Sequence, residues 1–311
     1  MRGERGFALV ITLVVTALLV ALLAEFVNEV YVDTSHSHNF VASQQAGILA
    51  ESGIAGGIQL LQFSKLKRQG QPYSSLLELW ARPISYDAGV GTVTISIEEE
   101  SGKLDLNSAT TLTGEPVLFY KETAQRLLAN LKLPPELYEV LADWVDKEPA
   151  TPRTNGAETS YYSTLKPPYQ AHDGRLDTVE ELALLKGFTP EVLTKLRSCV
   201  TVYGQIPGAV LQVPININTA PKELLLALDK TMTSSLVDEI LEYRKSKPIK
   251  NLADIAGLGN LAQSLQGYVV CKGTIYRIRA EGKVGESVSV AEAVVTDVDN
   301  LKPTVLYWRE Y

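Results

Sequence analysis

The sequence predicts an α+β protein, in which a long N-terminal helix packs on an antiparallel sheet and a large α-helical domain is inserted between the strands. Three observations predict it. Residues 7–27 read FALVITLVVTALLVALLAEFV, with Thr12 and Thr16 the only non-apolar residues up to Ala24. Strand-like alternation occurs at Thr92–Glu98 and again only beyond residue 274. Between them, residues 108 to about 272 carry helical signals in two copies that echo each other.

The apolar run is long enough to cross a bilayer as a helix, with its backbone groups satisfied internally. Arg2 and Arg5 on its short flank hold that end in the cytoplasm, so the remainder is expected on the far side. A cleavable secretory signal fits poorly, because a cut after Ala24 puts Leu22 where a small residue belongs. From Glu25 to about Lys67 the chain is free of Pro and keeps helical spacing, as at Ile54, Ile58 and Leu61. One helix is therefore expected from Phe7 to near Lys67, weakened by Gly47, Gly53, Gly56 and Gly57. His36 and His38 stand two apart and do not share a helical face, so they are expected in solvent rather than on a metal.

The 311 residues suit one or two globular domains, and 45% hydrophobic with 21% charged residues is ordinary for a folded chain. A net charge of −7 and a pI near 5.2 argue against wholesale binding to nucleic acid. Cys199 and Cys271 leave a disulfide and two buried thiols both open, and no CxxC metal spacing occurs.

Further strands are expected at Thr92–Glu98, Ile275–Glu281, Ser287–Val298 and Thr304–Trp308, with Gly282–Gly285 turning the second into the third. In the helical middle, Lys103–Ala109 (KLDLNSA) is echoed by Pro214–Ala220 (PININTA). Each ends in Asn and Ser or Thr, good helix N-caps, and Pro221 suits a first helical position. Helices at Leu137–Val145 and Leu236–Tyr243 follow, then glycines at Gly187 and at Gly257 and Gly259, then the apolar runs at Val200 and Val269. Two related helical units result, the first carrying an insertion between Trp144 and Leu176.

The second unit resembles a helix-hairpin-helix module of the kind found in competence DNA receptors, through Ile215–Ala220 and Ile255–Gly259 (IAGLG). Yet Asp229–Ser234 has no Gly, and residues 218–273 hold seven basic against six acidic side chains. Phosphate binding needs a clear basic surplus, so no nucleic-acid partner is expected. A membrane-anchored DNA receptor of the competence type is the alternative function.

The order Arg5-Gly6-Phe7 before the apolar helix resembles the leader of type IV pilin-like proteins. The resemblance implies cleavage after Gly6 by a prepilin peptidase and methylation of Phe7. With DWVD, GAETSYY, KPPY, LKGFTPE and ININTAPKELL, the likeness extends along nearly the whole chain to the K-type minor pseudopilins of type II secretion systems (the GspK family). Most pilin-like proteins carry a Glu where this chain has Ile11, and K-type members lack it. The resemblance implies a pilin-like fold with two helix-hairpin-helix/SAM-like units. It also implies a single-pass inner-membrane anchor with a periplasmic C-terminal domain. The expected place is the tip of the pseudopilus, starting its assembly, with I-type and J-type minor pseudopilins and the major pseudopilin as partners. The expected divisions are a leader at 1–6, a membrane helix at 7–27, a stem and first strands at 28–107, helical units at 108–213 and 214–273, and terminal strands at 274–311.

The insertion is rich in Pro, Gly and Tyr, without helical or strand period, and such loops are often functional. Asp143, Asp146, Glu148, Glu158, Asp173 and Asp177 offer the hard oxygen donors that calcium takes. The spacing is not that of an EF-hand, and a solvated acidic surface is the other reading. The resemblance implies calcium in the same domain. No GxSxG, P-loop or GxGxxG stands in a strand–turn–helix setting, and no enzyme is expected.

Overall fold

A computed structural model describes residues 3–108, 110–111, 114–147, 152–204, 214–296 and 303–311, with side chains from Phe7 onward. Helix α1 runs unbroken over Gly3–Arg68. Its apolar N-terminal part reaches a mean hydropathy of 2.9 with none of that window buried, so the segment fits a single membrane span. The far half packs through Ala50, Ile54, Ile58 and Leu61, an i, i+3/i+4 series on one face. His36 and His38 are exposed, as expected.

After α1 come β1 (Ile84–Asp87) and β2 (Thr92–Glu99), and the chain returns to the same sheet as β7 (Ile275–Val284), β8 (Ser287–Thr296) and β9 (Thr304–Glu310). The sheet has the order β1-β2-β7-β8-β9 and is antiparallel throughout. Alternation along β7 and β8 divides the sheet between two cores. Val93, Ile278, Ala280, Ala291, Ala293 and Val295 face α1. Ile275 and Val294, with Leu306 and Tyr307, face the helical block. The fold is therefore three layers, α1, sheet and helical block.

Gly282 is not in the turn expected for it. The β7–β8 hairpin turns at Gly285 and Glu286, and Gly282 lies within β7 opposite Ser289. A Cβ there would stand 2.2 Å from the Ala46 carbonyl oxygen, so glycine is required by the helix crossing above, not by a turn.

The helical block holds the predicted repeat. In the first unit, β3 (Leu104–Asp105) pairs in parallel with β4 (Val200–Thr201), enclosing α2 (Leu118–Asn130), α3 (Leu137–Val145), α4 (Thr159–Tyr162) and α5 (Pro190–Leu196). In the second, β5 (Ile215–Asn216) pairs in parallel with β6 (Val269–Val270), enclosing α6 (Lys222–Ala227), α7 (Ser234–Ser246) and α8 (Leu261–Ser264). The units share one core. Cys199 and Cys271, buried and free, flank the closing strand of each.

Asn107 and Asn218 do not cap helices. The Asn107 amide donates to the Leu176 and Val202 carbonyls at 2.9 and 2.8 Å and accepts from the Leu176 N–H at 2.8 Å. Asn218 repeats this on Ile249 and Cys271: it donates to both carbonyls, at 2.8 and 3.0 Å, and accepts from the Ile249 N–H at 2.8 Å. Three buried backbone groups left unpaired would cost about 1–3 kcal/mol each, more than one cap contributes, so the amide is drawn across its unit. Helix α6 starts at Lys222, which leaves Pro221 at the cap rather than the first helical position.

Candidate functional site

The inserted segment after α3 folds against its own unit. Asn155 donates from backbone and side chain to Glu139 of α3, both at 2.9 Å, and the Lys186 ammonium donates to the Gly156 carbonyl at 3.3 Å. Its aromatic residues supply the packing. Tyr162 stands edge-on to Trp144 and stacks on Tyr169, whose hydroxyl donates to the Leu184 carbonyl. The single turn α4 lies in this segment, where no period was legible because four residues are too few to show one.

This packing brings four of the six predicted carboxylates into one charged cluster. Asp143 is on the last turn of α3, Asp146 follows α3, Glu158 precedes α4, and Asp173 sits at φ +50° in the returning arm of the loop. Asp143, Asp146 and Glu158 are buried. Both carboxylate oxygens of Glu158, and Oδ1 of Asp173, are buried without a hydrogen-bond partner. Burial, and then the charges of Asp143, Asp146 and Asp173, push the Glu158 carboxyl up to about 7. Asp173 is raised by burial first and by Asp146 second. Gly156 crosses directly over Asp143, where a Cβ would lie 1.7 Å from Oδ2.

A guanidinium also lies in the cluster, and no spacing in the sequence pointed to it. Arg153 Nη1 donates to Asp143 Oδ1 at 2.5 Å and to Asp146 Oδ2 at 2.6 Å, and its Nη2 donates to the Gly114 carbonyl at 2.7 Å. Burial alone would lower the guanidinium; Asp146 and Asp143 outweigh it and hold Arg153 above its ordinary value. Among the described residues no three His, Cys, Asp or Glu side chains stand as a ready metal-ligand set. Asp143 and Asp146 are both turned onto Arg153. Asp177 is exposed, its backbone N–H donating to Glu181 at 3.0 Å. Glu148 lies outside the described residues.

At the other end of the chain, Phe7 and Ile11 are exposed on α1, and Gly6 precedes Phe7 within the same helix. In the second helical unit three of the seven basic side chains are engaged at home. Lys222 pairs with Asp238 and Lys245 with Glu242, while Arg244 donates to the Ile217 and Ala220 carbonyls. The DNA-receptor alternative is not favoured.

Comparison with known proteins agrees with this layout. Two family models, both described as type II secretion system (T2SS), protein K, match residues 102–205 and 215–270. These stretches correspond to the two strand-closed units and together make up about half the chain. Type II secretion system protein K of Pseudomonas aeruginosa is 29% identical over 252 residues, covering 76% of this chain and 72% of that one. The protein K of Pectobacterium carotovorum subsp. carotovorum is 21% identical over 301 residues, covering 91% and 90%. Among solved structures, a chain of the GspK-GspI-GspJ complex from the enterotoxigenic Escherichia coli Type 2 Secretion System superposes with a TM-score of 0.70 at 18% identity. That match covers 90% of this chain and 99% of the other and shows a shared fold. The chain belongs to the type II secretion system protein K family, the GspK minor pseudopilins.

Proposed function

We propose that this chain stands at the tip of a type II secretion pseudopilus and starts its assembly, for protein export across the outer membrane. The observation that carries the reading is the order of layers: an exposed apolar helix, a sheet on its far half, and a helical block on the sheet's other face. Such a block adds bulk above the stem, which suits an end position better than a repeated one. Ile11 supports the same place. A subunit with no neighbour above it has no N-terminus to pair with, and an unpaired carboxylate in lipid is costly. In this reading α1 anchors the chain once in the inner membrane and the remainder lies in the periplasm. The role is structural, not enzymatic. The I-type and J-type minor pseudopilins are its partners, as the solved complex of the E. coli relative suggests. The major pseudopilin stacks below.

The acidic cluster suits a hard divalent cation. A carboxylate with both oxygens buried and bare is the donor that calcium takes. Asp143, Asp146, Glu158 and Asp173 would hold it, and the bound ion would add positive charge that Arg153 alone does not supply to four carboxylates.

Processing tests the membrane half of this reading. Co-expressed with a prepilin peptidase, the chain should lose its first six residues and gain one methyl on Phe7 by intact mass. An uncut N-terminus, or a cut near Ala24, contradicts it.

A further inference from the structure

Asp143 and Asp146 hold one guanidinium whose charge also reaches Glu158, and the guanidinium is on the outside. The side chain of Arg153 is 27% exposed, against 1% for Asp143 and 4% for Asp146. The two carboxylates it binds are satisfied, whereas Glu158 and one oxygen of Asp173 are not. Its backbone is tied down separately: the Arg153 N–H donates to Asp143 Oδ2 at 3.1 Å, and its carbonyl accepts from the Gly156 N–H at 2.9 Å. The side chain can therefore leave toward solvent without undoing the turn that carries it. An arginine keeps its charge at any working pH, so it yields by moving, not by losing a proton.

We propose that Arg153 is a resident cation that holds Asp143 and Asp146 while no metal is bound, and that it competes with a divalent ion for them. Arg153 thus sets the metal affinity of the cluster and the stability of its metal-free form. This rests on the calcium reading above. Two cations confined to one set of carboxylates repel, and removing one strengthens the hold on the other. The opposing role, a guanidinium that positions the carboxylates for the ion, makes the reverse prediction.

The test is calcium titration by calorimetry of the detergent-solubilised full chain, as wild type, Arg153→Gln and Arg153→Lys, with thermal melts in chelator and in millimolar calcium. Arg153→Gln should bind calcium about tenfold tighter or more, within the span of ordinary site–site coupling. It should melt below wild type in chelator and close that gap in calcium. Arg153→Lys, which keeps the charge without the fork, should fall between. If Arg153→Gln does not fold in chelator, Arg153→Lys carries the test alone, and tighter binding than wild type is still required. Calcium binding by wild type with equal or weaker binding by the variants overturns the competitor role and leaves the calcium reading intact. Binding by the variants but not wild type supports the competitor role and removes calcium from the native protein. No binding by any of the three overturns both.

Discussion

Glu99 ends β2 where the sheet meets the second helical unit. It is buried, accepts from the Asn216 amide at 2.7 Å and the Ser74 hydroxyl at 2.9 Å, and a Cβ on Gly273 would lie 1.7 Å from it. Burial pushes its carboxyl up to about 7 against these hydrogen bonds, and burial likewise raises Asp105 to about 6. A raised carboxyl means that the folded state holds the proton longer than the unfolded chain. Its stabilising contribution is full below the ordinary pKa near 4.5 and is lost as pH rises toward 7. For Glu100, Lys103 and Arg277 overcome burial and hold the carboxyl low, so that residue does not act in this window. The melting temperature should therefore fall between pH 5 and pH 8, and Glu99→Gln should flatten the fall and melt higher than wild type at pH 8. Identical profiles for the two proteins would show that Glu99 does not control it. At this scale the sequence was partly legible. That the loop carries carboxylates was legible from residue type alone; that Asp143, Asp146, Glu158 and Asp173 would gather was not. Nor was the role of Arg153, since its partners are set by how the loop folds back on α3. Asn107 and Asn218 echo each other in the sequence, but their partners are not legible there, because local capping is readable from spacing and a bond across 69 or 31 positions is not.

At the scale of elements, α1 meets the sheet through glycines. A Cβ on Gly57 would stand 2.6 Å from Ile278 Cγ2, and one on Gly53 would stand 2.6 Å from the Ala280 Cβ. The residues that look like helix weaknesses are the places where helix and sheet come closest. Gly57→Leu should separate them and destabilise the fold by about 1–3 kcal/mol, the usual cost of overpacking. Gly47→Ala, whose Cβ would meet only the Ser289 Oγ at 3.9 Å, should be neutral or slightly stabilising through helix propensity. Equal melting temperatures for the two variants would contradict the close packing. The long elements were legible because α1, β2 and β7–β9 are long enough to show a period. Strand β1 was not, being four residues with no buried position. The two-residue pairs β3–β4 and β5–β6 were visible only as a repeated motif, since two residues carry no alternation.

At the scale of the molecule, the sheet is shared property. Arg277 of β7 pairs with Glu100 at 2.7 Å and with Glu292, and its guanidinium lies over the Tyr203 ring of the first unit. Tyr203 in turn contacts Tyr307 of β9. The helical block is thus fixed to the sheet rather than tethered beside it, and a load on the stem reaches both units. That rigidity suits the proposed place at the pseudopilus tip. The most direct measurement is the native mass of complexes extracted in mild detergent after co-expression of the full chain with the I-type and J-type minor pseudopilins of the same system. A complex holding one copy of each of the three is predicted. A chain that elutes alone or with itself, while the other two pair without it, would contradict the assignment to the pseudopilus tip.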